Sequence, residues 1–263
     1  MTRPMTTKLR HVHVFELGDV DEGSSEEKEL SSLTELELIK LPELKCIWKG
    51  PANHVSLQNL ADLNLISLNK LIFIFTLSLA QSLPKLESLN IGSCGELKHL
   101  IREKDDAREI TTDFFGPKNF AAQLPSLQIL NIDGHKELGN LFAQLQGLTN
   151  LEKLCLESLP DMRCIWKGLV LSKLTTLEVV ECKRLTLVFT CSMIVSLVQL
   201  KVLKILSCEE FKRIIAKDDD ENDQILLGDH LQSLCIPNLC EIEIGECNML
   251  KSLFPVTMAS GLS

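Results

Sequence analysis

The chain predicts an α/β repeat fold: a leucine-rich-repeat solenoid, or horseshoe, with a parallel concave β-sheet and an irregular, short-helical convex side. Three observations carry that expectation. The first is a recurring phrase, leucine-x-x-leucine-x-leucine, closed three positions later by cysteine, histidine or leucine. Leu86, Leu89, Ile91 and Cys94 form one copy, Leu174, Leu177, Val179 and Cys182 another, and Leu239, Ile242, Ile244 and Cys247 a third. The second is the period, roughly 20–30 residues over most of the chain, which is that of stacked repeats presenting surface. The third is a hydrophobic content of 45% in 263 residues, enough to build a continuous core.

Aligned on the first leucine, the copies start at Leu33, Leu60, Leu86, Leu127, Leu151, Leu174, Leu200 and Leu239, with a weaker copy from Leu9 through Val12, Val14 and Leu17. The alternation inside each L-x-L segment predicts a short strand with one buried face. The apolar residues that follow at three-residue spacing, such as Leu41, Leu44 and Ile47, predict 3₁₀ or irregular turns on the outer side. The ninth position holds Cys94, His135, Cys182, Cys208 and Cys247 in five copies and Leu41, Leu68 and Leu159 in the others. This equivalence places the cysteines beneath the turn as packing groups. Trp48 and Trp166 likewise fall where other copies have Phe75, Phe142, Phe189 and Phe254, which predicts convex-side packing.

A second level of repetition overlies the first. LPELKCIWKG (Leu41 to Gly50) returns as LPDMRCIWKG (Leu159 to Gly168), and Phe75, Thr76, Ser78, Ser82 and Leu83 match Phe189, Thr190, Ser192, Ser196 and Leu197. A block of four repeats has been duplicated in tandem. The expected organisation is a partial N-terminal repeat and acidic linker over 1–32, a first four-repeat block over 33–150 and a second over 151–263, in one continuous solenoid. Two acidic insertions, one after Ile101 and one after Ile215, lengthen equivalent repeats and predict solvated loops on one edge. The sequence stops after PVTMASGLS, where another repeat would begin, so it reads as part of a longer repeat protein.

The bulk numbers exclude several function classes. A net charge of −9 and a pI near 5.2 leave no basic excess for nucleic acid or an anionic membrane surface. The N-terminus lacks the apolar stretch of a secretory signal, and Leu71 to Ala80 is far too short to span a bilayer. Ten cysteines without an export signal predict reduced thiols in the cytoplasm. There is no glycine-rich phosphate cradle, no catalytic histidine motif and no cysteine pair of zinc-binding spacing. Cys235, Cys240 and Cys247 look like a zinc cluster, but Cys247 already belongs to the repeat ladder. His11 and His13 share a strand face, as exposed strand histidines commonly do. The run from Asp218 to Asp229 imitates a calcium loop but has Asp223 where the sharp turn needs glycine. No enzyme activity, cofactor or metal is expected.

What remains is a surface. Between the leucines, Glu35, Glu37, Asp62, Asn64, Ser88 and Asn90 point out of the concave sheet, followed by Asn131, Asp133, Lys153 and Glu157, then Thr176, Glu178, Lys204, Glu241 and Glu243. This face is mostly polar and acidic and suits a basic or polar protein partner, although ordinary solvation accounts for any single residue equally well.

LxxLxLxxCxxLxxIF, the LKCIWKG phrase, the EKDD-type insertion and the closing LFPVTMASGL together resemble the leucine-rich-repeat region of plant intracellular disease-resistance proteins, in particular the coiled-coil class of nucleotide-binding leucine-rich-repeat receptors. The resemblance covers the chain after about Leu30. It implies a cytoplasmic role in defence. The partners it implies are a pathogen effector or a modified host protein, and the nucleotide-binding module that such repeats restrain. The coiled-coil region and phosphate-binding loop of that pattern are missing here. An alternative is the substrate receptor of a ubiquitin ligase, for which the stretch before Leu30 is too short and too acidic to supply the helical adaptor segment.

Overall fold

A computed structural model describes residues 13–16, 28–29, 32–49, 55–102, 124–135, 148–165, 171–216, 236–251 and 253. In chain order the first strands are β1 (His13–Glu16), β2 (Lys28–Glu29), β3 (Glu35–Ile39), β4 (Cys46–Lys49) and β5 (Val55–Ser56). Next come β6 (Asp62–Ile66), β7 (Phe73–Thr76), β8 (Ser88–Gly92), β9 (His99–Arg102), β10 (Ile129–Asp133) and β11 (Lys153–Glu157). The last are β12 (Thr176–Val180), β13 (Leu187–Thr190), β14 (Val202–Leu206), β15 (Arg213–Ala216) and β16 (Glu241–Gly245). Two single-turn helices, α1 (Leu77–Gln81) and α2 (Cys191–Ile194), follow β7 and β13.

Eight strands form one parallel sheet in the order β16-β14-β12-β11-β10-β8-β6-β3. Each comes from one of the eight strong copies of the phrase, and the pairing is in register. Leu36 meets Leu63, Leu63 meets Leu89, Leu89 meets Leu130, and the column continues through Leu154, Leu177 and Leu203 to Ile242. Period-two alternation sends these leucines to one side, where Leu63 to Leu203 in this column are buried. A slip of one residue would turn the whole column to water, so burial itself specifies the register.

Two kinds of turn recur among the described coils. The first follows the strand: Leu44 N–H donates to Leu41 O, Leu71 to Leu68, Leu97 to Cys94, Leu185 to Cys182 and Phe211 to Cys208. The second precedes the next strand, as in Leu60 to Leu57, Leu86 to Leu83 and Leu200 to Leu197. These three-residue steps are the turns that the apolar spacing predicts.

The residue after every strand of the large sheet has positive φ: Lys40, Ser67, Ser93, Gly134, Ser158, Glu181, Ser207 and Glu246. Each of the first seven donates its N–H to the last carbonyl of the next strand, for example Ser67 to Gly92 O at 2.8 Å and Glu181 to Leu206 O at 2.9 Å. Only one of the eight is glycine. A left-handed residue with a side chain costs about 1–2 kcal/mol, and an inter-repeat hydrogen bond accompanies that conformation seven times over. At Gly134 a Cβ would sit 3.0 Å from Ser93 Oγ, so a side chain there would crowd the turn of the preceding repeat.

The convex side contains more β-structure than the spacing predicts. Short parallel pairs β7–β9 and β13–β15 stack adjacent coils there, with β1–β4 and β2–β5 toward the N-terminus. β7, α1 and β9 recur as β13, α2 and β15, with Phe75 paired to Ile101 and Phe189 to Ile215. Phe75, Phe189 and Phe211 are fully buried and anchor the convex wall. Trp166, Phe142 and Phe254 lie outside the described residues, and Trp48 is described only through the backbone of β4.

The weak copy from Leu9 does not place its strand in the large sheet. β1 pairs with β4, His13 opposite Cys46 and Phe15 opposite Trp48, so it occupies a convex position. Alternating residues make a strand on either side of the coil, and without further strong leucines nothing in the sequence distinguishes the two. The acidic insertions, largely within 103–123 and 217–235, lie outside the described residues. Across them β8 pairs directly with β10 and β14 with β16, so neither interrupts the sheet.

Candidate concave interface

The face opposite the leucines carries the first, third and fifth residue of each strand in three rows. All fifteen residues singled out from the sequence lie in these rows, half-buried or exposed. Along the middle row Glu37, Asn64, Asn90, Asn131, Cys155, Glu178, Lys204 and Glu243 are successive neighbours. Here the side chains bond to one another along the sheet. Asn64 Nδ2 donates to Glu37 Oε1 at 2.8 Å and Asn90 Nδ2 donates to Asn64 Oδ1 at 3.1 Å, an amide ladder of the kind stacked strands favour. Asn131 Oδ1 is shut away from solvent and accepts no hydrogen bond.

Farther along, the Cys155 thiol donates to Glu178 Oε2 at 3.2 Å. Burial, together with the Glu178 carboxylate, pushes this thiol up to about 12, so at neutral pH it is a protonated donor without nucleophilic character. Burial works against the Glu178 carboxylate, but the thiol's hydrogen bond and Lys153 outweigh it and hold the carboxyl below its usual range. Lys153 Nζ lies 3.2 Å from Glu178, and Lys204 Nζ lies 3.1 Å from Glu243 and 3.5 Å from Glu241. Both lysines of the face are therefore engaged by glutamates. Eight carboxylates share the face with these two cations, so its charge is strongly negative.

The sequence reading missed the apolar and small members of the rows: Ile129 and Val202 in the first, Cys155 in the middle, and Ile39, Ile66, Gly92, Val180, Leu206 and Gly245 in the third. Their signal was present in the same alternation. Leucine, isoleucine and valine at outward positions are masked by the expectation that apolar residues point inward.

The ninth-position side chains sit below this surface. Cys94, Cys182 and Cys208 are buried and His135 is 1% exposed. Each cysteine Sγ donates to the carbonyl two residues earlier, Gly92, Val180 and Leu206 respectively, and faces a carbonyl of the preceding coil. Burial pushes the Cys182 thiol to about 12 and the Cys208 thiol to about 11. These are satisfied packing groups. Cys247 Sγ donates in the same way to Gly245, whereas the exposed Cys240 faces Lys201 O. Cys235, His11 and the calcium-like run lie outside the described residues. Among the described residues, Cys94, Cys155, Cys164, Cys182, Cys208, Cys240 and Cys247 are free thiols, no cluster could hold a metal ion, and no helix is long and apolar enough to cross a membrane.

The coil pattern matches one family model, the leucine-rich repeats of RPS2-like plant disease resistance proteins, over residues 9–95 and 108–209. That is well over half of the chain. It belongs to this family. Among solved structures, the RPS2-like repeats match an internalin from Listeria monocytogenes at 14% identity and a TM-score of 0.26, covering 88% of this chain and 85% of that one. No curated protein sequence matches them.

Proposed function

We propose that this chain is a non-enzymatic recognition module of plant innate immunity. In this reading it acts in the cytoplasm, senses a pathogen effector or a modified host protein, and restrains a nucleotide-binding module normally in the same chain. The family supports a role in defence, and a solenoid presents the extended surface that such a role uses. The observation that carries the reading is the charge of the sheet face. Its two lysines are already held by glutamates, so the remaining carboxylates present an unneutralised field to a basic partner.

The test has two arms. Fused behind the nucleotide-binding module of an RPS2-like receptor and expressed in leaf tissue, the chain is expected to suppress the cell death that the module causes alone. Unchanged cell death would refute restraint. In the second arm, tagged chain is recovered from infected leaf extract beside a variant carrying Glu35→Lys and Asp62→Lys. Basic proteins bound to the parent and lost from the variant support the face. An unchanged set of partners removes it.

A further inference from the structure

The third row of the face is patterned. It runs Ile39, Ile66, Gly92, Asp133, Glu157, Val180, Leu206, Gly245, each in register with the next. Two apolar shoulders therefore flank one pair of carboxylates at the centre of the sheet. Like charges in direct register destabilise a sheet, and this pair, like Glu35 and Asp62 in the first row, faces no cation among the described residues, whereas the middle-row acids and Glu241 are partnered. Glu178, Glu241 and Glu243 each have a lysine, and Glu37 has Asn64. Among the described residues no lysine or arginine pairs with Asp133 or Glu157. Two residues before Asp133 on the same face, Asn131 Oδ1 stands without a donor. The centre of the third row thus holds two carboxylates without a cation, with apolar surface at Ile66 on one side and at Val180 and Leu206 on the other.

We propose that this centre seats an extended protein segment running across the strands. An arginine or lysine lies over Asp133 and Glu157, and an apolar side chain roughly three or four residues to either side packs on Ile66 and on Leu206. The spacing follows from the sheet. Five strand steps separate Ile66 from Leu206, about 24 Å at ~4.8 Å per step, which an extended chain at ~3.3 Å per residue spans in about seven residues. A guanidinium suits the site best, because its planar fork can serve two carboxylates together. Charge complementarity selects the cation, and the shoulders set the register.

This inference rests on the recognition reading and narrows it to one partner chemistry. The experiment pans a phage-displayed library of random nonapeptides on the full chain and on a variant carrying Asp133→Asn and Glu157→Gln. Both side chains lie on the surface row, and circular dichroism of the variant checks that the coils remain folded. The expected result is enrichment of peptides with a central arginine or lysine between two apolar residues. Binding of those peptides should fall by at least about tenfold on the variant. Enrichment without that motif, no enrichment, or equal retention on both proteins would overturn the proposal. If Glu35→Lys and Asp62→Lys still strip basic partners in leaf extract while the library yields no motif, the broader reading survives and this site does not.

Discussion

At the scale of single residues, Glu157 is the most informative position. Burial, followed by Asp133 and then Glu181, raises its carboxyl above the ordinary value of 4.5. The sign is decisive. A carboxyl whose folded value exceeds its unfolded one opposes the fold when ionised. The destabilisation is full above the folded value and disappears as pH falls below the unfolded value near 4.5. Glu157→Gln is therefore expected to raise the thermal midpoint at pH 7 by an amount worth less than about 1 kcal/mol, since water screens a largely exposed group. At about pH 3.5 the two proteins should melt alike. A neutral-pH midpoint equal to or below the parent's would show that this carboxylate is stabilised by its surroundings. The same scale shows the limit of reading types without neighbours. The sequence marks Asp133 and Glu157 as acidic and outward, but so it marks Glu178 and Glu243, whose lysines make them electrostatically different.

At the scale of elements, the eight strands of the large sheet and the turns flanking them were legible from the sequence because burial and alternation leave one workable register. Leu63, Leu89 and Leu130 announce their column by spacing alone. The left-handed residue after each strand was not legible, since lysine, serine and glutamate there carry no glycine signal. Its conformation is forced by the coil, which must turn immediately after the strand while its N–H reaches the next carbonyl. Substituting glycine should relieve this strain where the side chain is not otherwise used. Ser67→Gly keeps the N–H to Gly92 O and is expected to stabilise the protein by about 0.5–1 kcal/mol, measured by chemical denaturation. A loss of stability would mean that the hydroxyl supports the turn. The convex strands also escaped prediction. The Cys46–Lys49 and Phe73–Thr76 segments are apolar on consecutive positions, and short runs of that kind do not declare strand or turn.

At the scale of the whole molecule, stability is distributed along one axis, each coil resting on its neighbours. Hydrogen exchange should follow that axis. In β10, β11 and β12 both neighbours cover the strand, and their leucines are buried. In β16, a sheet edge, Ile242 is 40% exposed. Amides of Lys153–Glu157 and Thr176–Val180 are expected to be the most protected, and those of Glu241–Gly245 and of the opposite edge, Glu35–Ile39, the least. Uniform protection across all eight strands would instead indicate a single cooperative unit. The insertions belong to this scale too. β8 meets β10 and β14 meets β16 across them, because closing a longer loop adds little entropic cost.

The amino-acid sequence by itself determined the coil period, the inward leucines and ninth-position cysteines, and the family to which they belong. All of these follow from short-range spacing acting through burial. Only the tertiary structure decided which outward side chains satisfy one another. Lys153 reaches Glu178, Lys204 reaches Glu243, and the Asp133–Glu157 pair is left without a cation. Residues a whole repeat apart along the chain become neighbours about 4.8 Å away once the coils stack in register, and at that distance identity, more than spacing, sets the charge of the surface.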